Sequence, residues 1–218
     1  MAAARVDDAE VAVEAADDGT PGTVLIIACG ALAREILAVV RANGLDHVTL
    51  KCLPAQLHNR PEKIADAVEA LIEAEREHYD EILIGYGDCG TGGRLDAMLE
   101  RHGVRRIAGA HCYAFFTGVE AFMARAEDEI AAFYLTDFMV RQFDAFITRP
   151  LGLDRHPELR DMYFGNYEKL VYLVQQSDSC LDRKADLIAQ RLGLPLERRP
   201  TGFGDLAGFV EGDASTMA

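Results

Sequence analysis

The chain has 218 residues, half of them hydrophobic, and its 36 acidic and 22 basic side chains give a formal net charge of −14. This length and composition indicate a globular protein that can bury a full core. The negative charge argues against nucleic acid or an anionic membrane surface as the main partner, because phosphates require a basic face. No signal peptide or spanning apolar run is apparent, so we expect a cytoplasmic protein whose five cysteines are reduced.

The two ends of the chain differ in composition from its middle. Residues 1–21 are rich in alanine and acids, and residues 212–218 are mostly small and polar. Both segments are predicted to be disordered tails because they offer little apolar surface to bury. Residues 22–211 are predicted to form a single α/β domain.

Short apolar runs alternate with amphipathic stretches between the two tails. The runs predict strands at residues 24–28, 47–53, 81–86, 105–108, 170–175 and 197–199, and the stretches predict helices at 32–43, 61–78, 93–102 and 182–192. This alternation predicts a Rossmann-like open parallel sheet with helices on both faces. Residues 113–150 are rich in phenylalanine and break the alternation, so we expect a helical insert between strands 4 and 5.

Cysteine and histidine residues follow several of the predicted strands. Cys29 comes after the first strand, His58 after the second, Cys89 after the third, and His111 and Cys112 after the fourth. Ligands bind at the carboxyl ends of the strands in an open parallel sheet. The three thiolates are therefore predicted to hold zinc or three corners of an iron–sulfur cluster, with either histidine as a fourth ligand. The alternative is that these cysteines only pack in the core, and no Cys-x-x-Cys pair decides between the two.

The loop after the third predicted strand is rich in glycine. Its sequence Gly85-Tyr86-Gly87-Asp88-Cys89-Gly90 matches G-x-G-x-x-G, but it follows the third strand and not the first, so it indicates a dinucleotide site only weakly. We expect Gly87, Gly90, Gly92 and Gly93 to bind a cofactor by letting the backbone approach it closely. Amides at the start of the next helix would hold an anion.

Two further side chains are candidates for catalysis. His58 is a potential general acid or base, although it or its neighbour could instead cap the helix that begins at Pro61. Asp178 follows the fifth strand and would either orient a substrate or cap the next helix. The sequence leaves both choices open.

The strand-end motifs together resemble the DUF1638 family. The resemblance lies in Cys29-Gly30, Leu57-His58-Asn59, the loop at residues 85–90, His111-Cys112-Tyr113 and Asn166-Tyr167, and it covers roughly residues 24–210. Such proteins are associated with corrinoid-dependent methyl transfer. The resemblance therefore implies a role in or near corrinoid-dependent methyl transfer. It assigns no catalytic residue.

The expected function is a cysteine-ligated metalloprotein that acts in or beside corrinoid-linked methyl transfer, as a methyltransferase or its accessory protein. Its partners would be a small-molecule substrate or a corrinoid protein, and a corrinoid would be a further cofactor. One alternative is a metal-free module that binds a small anion or a corrinoid. Another is an interaction protein that docks on a methyltransferase through the aromatic insert.

Overall fold

The computed structural model describes residues 23–218, so the tail predicted at residues 1–21 lies outside the described part of the chain. The described chain divides into two compact units. The first contains residues 23–115 and 205–218, and the second contains residues 116–204. The prediction of a single domain over residues 22–211 stays a prediction. No helix within residues 23–218 has the length and apolar character needed to cross a membrane.

The first unit is built on a parallel sheet of four strands in the order β2–β1–β3–β4. The strands are β1 (Val24–Cys29), β2 (Val48–Leu53), β3 (Glu81–Gly85) and β4 (Arg105–Arg106). The helices are α1 (Ala33–Asn43), α2 (Ile64–Glu75), α3 (Arg94–His102), α4 (Cys112–Thr117) and α9 (Asp205–Val210). Short 3-10 turns lie at Gly30–Leu32, Ala55–Asn59, Pro61–Lys63 and Ala214–Thr216.

The central strand β1 shows that this sheet is buried on both faces. Leu25, Ile26 and Ile27 are consecutive, so their side chains alternate between the two faces, and all three are fully buried. A parallel strand covered on both faces reads as a continuous apolar run. The helix α1 then ends at Gly44, whose left-handed backbone (φ +61°) caps it.

The second unit contains a parallel sheet of three strands in the order β5–β6–β7. The strands are β5 (Ala132–Leu135), β6 (Lys169–Val174) and β7 (Leu196–Pro200). The helices are α5 (Val119–Met123), α6 (Asp137–Phe143), α7 (Arg160–Phe164) and α8 (Ser179–Leu192), with a π-helical turn at Asp144–Thr148 and a 3-10 turn at Pro157–Leu159.

The Rossmann-like α/β class predicted from the sequence is confirmed, with its strands divided between two parallel sheets. The difference arises in the predicted helical insert at residues 113–150, which contains the strand β5 as well as helices. Only the first and last of the four residues of β5 are buried. The strand therefore shows neither the alternating burial of a half-buried strand nor the continuous burial of a central strand.

The predicted disorder of residues 212–218 also differs from the structure. Residues 214–216 form the last 3-10 turn, and Met217 pairs with Ile107 in an antiparallel bridge. The amide of Ala108 donates to the carbonyl of Thr216 over 2.9 Å, and the amide of Ala218 donates to the carbonyl of Arg106. These contacts give the edge strand β4 and the residues after it a hydrogen-bonding partner, which composition alone does not reveal.

Candidate functional site

The first two loops of the four-stranded sheet bring a thiol and an imidazole together. Cys29 ends β1, and its sulfur accepts a hydrogen bond from the Ala31 amide over 3.4 Å. His58 lies in the 3-10 turn after β2, with its Nδ1 atom 3.6 Å from the Cys29 sulfur. No side-chain cap precedes the turn that begins at Pro61, so the structure supports the contact with Cys29 and not the capping alternative.

The glycine-rich loop after β3 is organised by a carboxylate of its own. Asp88 accepts hydrogen bonds from the amides of Gly90, Gly92 and Gly93 and from the Thr91 hydroxyl, over 2.7–3.2 Å. These bonds, the one from Thr91 first, lower the pKa of Asp88. The three glycine amides predicted to bind an anion or a cofactor are therefore taken by the Asp88 side chain. This corrects the predicted anion site, because these amides bind the Asp88 carboxylate instead.

The same loop is held tightly against the loop that follows β4. The Cys89 amide donates to the Ala110 carbonyl over 2.8 Å, and Cys89 has a left-handed backbone with φ +48°. A non-glycine residue in that conformation is strained. A Cβ atom on Gly87 would lie 2.8 Å from backbone atoms of Ala110 and His111, closer than real Cβ atoms come. The observed role of Gly87 is thus to let the two loops touch, where the sequence predicted a cofactor contact.

The loop after β4 supplies the last imidazole and thiol. His111 packs edge-on against Tyr113, with ring centroids 4.9 Å apart, and Cys112 begins α4. Burial, and to a smaller extent the nearby His58, lower the pKa of His111. Desolvation by the groups packed around the His58 imidazole also lowers its pKa, although part of the residue stays exposed to solvent. Both imidazoles are therefore neutral at pH 7.

The thiols of this edge are neutral as well. Burial raises the pKa of Cys29 to about 12 and that of Cys89 to about 11, and it raises the pKa of Cys112 well above its ordinary value. Repulsion between thiolates adds to this effect, since Cys89 raises the pKa of both Cys29 and Cys112. The predicted ligands are thus close enough to influence one another's ionisation, and each would ionise only with a positive charge nearby.

Two side chains of the same edge were not predicted from the sequence. Tyr86, the residue after β3, is 1 % exposed, and its ring stacks on His58 at a centroid distance of 6.5 Å. Glu35 is buried in α1, and its carboxylate contributes to the raised pKa of Cys112. Two features of the sequence could have indicated these side chains. Tyr86 stands between two glycines at a strand end, and Glu35 stands beside Ile36 on the apolar face of a helix.

Thiol sulfur and imidazole nitrogen are donor types that suit a soft metal ion. The donor atoms of this cluster, however, lie farther apart than the ligands of a single bound ion. Within residues 23–218, Glu69, Glu73 and His102 are the only three potential ligands whose donor atoms all lie within 4.8 Å of one another. The sulfurs of the three predicted cysteine ligands do not meet that spacing. A metal ion bound by them would require the strand-end loops to draw closer together.

The other predicted catalytic residue, Asp178, belongs to the second unit and caps a helix there. Its carboxylate accepts hydrogen bonds from the amides of Cys180 and Leu181, over 2.7 and 3.4 Å. Asp178 is the N-cap residue of α8, and its backbone is extended as that position requires. The structure therefore supports the capping alternative and not the substrate-orienting one.

The fold and this edge define an α/β protein with a cluster of thiols and imidazoles at the carboxyl ends of parallel strands. The model of the DUF1638 family, described as a protein of unknown function, matches residues 52–210, and the chain belongs to that family. The match includes His58, Cys89, His111 and Cys112, whereas Cys29 lies before its start. No curated protein and no solved structure gives a significant match to the chain.

Proposed function

We propose that the thiol cluster of Cys29, Cys89 and Cys112 is a metal-binding site for zinc or an iron–sulfur cluster. What supports this proposal is that the three thiols follow neighbouring strands of one parallel sheet: Cys29 ends β1, Cys89 lies in the loop after β3, and Cys112 lies after β4. Ionised thiols there need a compensating positive charge, which a bound metal ion supplies. Thiolate and imidazole are the ligand types that select zinc or iron–sulfur centres over magnesium or calcium.

His58 and His111 have separate proposed roles in this site. Either imidazole would complete the ligand set, since both are neutral and a metal binds neutral imidazole. His58 has a further role, because its Nδ1 atom faces the Cys29 sulfur while much of the residue is exposed. It would accept the proton that Cys29 gives up on binding and pass it to solvent.

The wider role that we propose is in or beside corrinoid-linked methyl transfer in the cytoplasm, as a methyltransferase or its accessory protein. Thiolate-bound zinc supports such chemistry by holding a thiolate nucleophile. All five cysteines of the chain are free, as a reducing compartment requires. A methyl-transfer assay with a corrinoid donor and the metal-loaded protein tests this part of the proposal separately from metal binding.

A metal-free module that binds a small ligand is the second candidate. The spacing of the three sulfurs favours it, because they lie too far apart for one ion as they stand. In that case the cysteines would remain neutral packing residues, consistent with their raised pKa values.

Cysteine-to-serine variants distinguish the two candidates. We expect Cys29→Ser, Cys89→Ser and Cys112→Ser each to lose most of the bound metal while the circular dichroism spectrum is kept. Cys180→Ser is the matched control, since Cys180 is exposed and lies on α8 of the second unit. Full metal retention in all three cluster variants would refute the metal site and leave the metal-free module.

A further inference from the structure

Three potential metal ligands meet where the helices α2 and α3 pack against each other. Glu69 and Glu73 lie one turn apart on α2, and His102 is the last residue of α3. One donor atom from each of these three residues lies within 4.8 Å of the other two. The nitrogen and oxygen ligands of one zinc ion lie about 3.4 Å apart, so small side-chain rotations would bring this set around a single ion.

These three residues, the Glu-Glu-His cluster, are separate from the thiols at the carboxyl edge of the sheet. The helices α2 and α3 are crossover connections, so each runs back from the carboxyl edge toward the amino edge. His102 accordingly lies just before β4 begins at Arg105. The Glu-Glu-His cluster therefore lies toward the opposite edge, and its ligands do not depend on whether the thiols bind an ion.

The charges of the cluster favour a cation. The carboxylate of Glu69 lies 2.8 Å from Nε2 of His102 and 3.1 Å from the guanidinium of Arg101. These contacts, with His102 first, lower the pKa of Glu69. The carboxylate of Glu73 has no hydrogen bond or ion pair to a residue within 23–218. Like charges four residues apart on a helix repel each other, and a divalent ion between the two carboxylates would remove this repulsion.

We propose that Glu69, Glu73 and His102 bind an exchangeable divalent transition-metal ion that ties α2 to α3. Imidazole together with carboxylate suits zinc and its first-row neighbours, whereas calcium takes oxygen ligands alone. The ion would replace the hydrogen atom between Nε2 of His102 and the Glu69 carboxylate, and the neutral imidazole would carry its proton on Nδ1. Arg101 would share or give up its contact with Glu69. This site goes beyond the proposed function and is independent of it.

The variant Glu73→Gln separates metal binding from the packing of the two helices. Glu73 has no partner in the metal-free protein, so loss of its charge should leave the thermal midpoint of that protein unchanged or raise it. The variant removes one ligand, so metal affinity should fall at least about tenfold, the smallest loss typical of groups that only support a ligand.

Three further variants complete the set. His102→Ala should also lose the metal, but it should lower the metal-free midpoint because Glu69 loses its imidazole partner. Glu77→Gln and His78→Ala are the matched controls, since both residues are exposed just after α2 and neither belongs to the cluster.

The experiment adds Co²⁺ to chelator-treated protein under reducing conditions, because Glu73 is exposed and the ion would exchange with solvent. Equilibrium dialysis counts the bound cobalt, and the sulfur-to-cobalt absorption band shows how much of it is held by thiols. The remainder gives the affinity of the Glu-Glu-His cluster. The thermal midpoint with and without cobalt measures how far the bound ion stabilises the fold.

Cobalt bound without thiol absorption, lost in Glu73→Gln and His102→Ala and kept in both controls, would support the proposal. So would a cobalt-dependent rise of the thermal midpoint that follows the same pattern. Equal binding by wild type and Glu73→Gln would overturn the proposal, as would a wild-type protein that binds cobalt only through sulfur or not at all.

Discussion

The sulfur of Cys29 lies 3.6 Å from the Nδ1 atom of His58, although 29 residues separate them in the chain. The contact arises because β1 and β2 are neighbouring parallel strands, with Cys29 paired to Leu53 in register. The loops that follow both strands must then meet at the same edge of the sheet. His58 is the exposed member of the pair and Cys29 the buried one.

We predict that His58→Ala speeds the reaction of Cys29 with a thiol reagent at least severalfold. The Nδ1 atom of this exposed residue contacts the buried sulfur, so we expect removal of the imidazole to open a path from solvent to the thiol. The measurement is the rate of Cys29 modification in the metal-free protein, followed by peptide mass spectrometry. His47→Ala is the control, because His47 is exposed just before β2 and leaves the site untouched. Equal rates in the two variants would show that His58 does not cover Cys29.

We predict that Gly87→Ala destabilises the protein and disturbs the position of Cys89. The new Cβ atom would lie 2.8 Å from the backbone of Ala110, so the two loops must separate, at a cost of about 1–3 kcal/mol. Urea unfolding measures this change in the free energy of unfolding. Peptide mapping of thiol modification shows whether Cys89 becomes more reactive.

Gly44→Ala is the matched control for that substitution. Gly44 has a left-handed backbone and open space around its Cα atom, so the variant introduces backbone strain of about 1–2 kcal/mol without a steric clash. It should therefore lower stability while Cys89 keeps its wild-type reactivity. Altered Cys89 reactivity in both variants would mean that lost stability, and not the loop contact, controls access to this thiol.

We predict that Glu129 of the second unit stabilises the fold above pH 4.5 and loses this effect as the pH falls toward 2. Hydrogen bonds from Arg199 first, and then from Tyr134 and Lys169, hold the pKa of Glu129 at about 2, below its ordinary value of 4.5. A carboxyl group with a lowered pKa in the folded state contributes stability above its unfolded pKa, and that stability is lost as it is protonated. The contribution should be about 1–2 kcal/mol, since solvent partly screens the cluster.

The variant Glu129→Gln tests this prediction by the difference in unfolding free energy from wild type. That difference should be largest near pH 7 and shrink between pH 4.5 and the acid limit of the measurement. Glu168→Gln is the control, because Glu168 is exposed and should show little effect at any pH. A difference that does not change with pH would show that Glu129 acts through packing and not through its charge.

Much of the first sheet could be predicted from the sequence because buried parallel strands read as short apolar runs. The predictions at residues 24–28 and 81–86 fall within one residue of the observed β1 and β3. The position of the site at the carboxyl edge of the sheet could be predicted from these strands, because the carboxyl ends of parallel strands lie together. The strand β5 was missed because its four residues carry no strand periodicity and lie among aromatic helical segments.

The details of the site depended on backbone geometry that residue types do not specify. The loop at residues 88–93 folds around Asp88 because three glycines there adopt positive φ angles, and this uses the amides that looked free for an anion. The stacking of Tyr86 on His58 follows from the path of the chain after β3. Neither feature could be derived from the spacing of cysteine and glycine residues.

The measurement that tests the central claim most directly is the metal content of protein purified without oxygen or added chelator, together with its visible spectrum and thiol titration. We predict either about one zinc per chain without colour, or iron and sulfide with a broad brown absorbance. In both cases thiols of the cluster should react only after chelation. A colourless protein without metal, whose thiols react alike before and after chelation, would contradict the metal site.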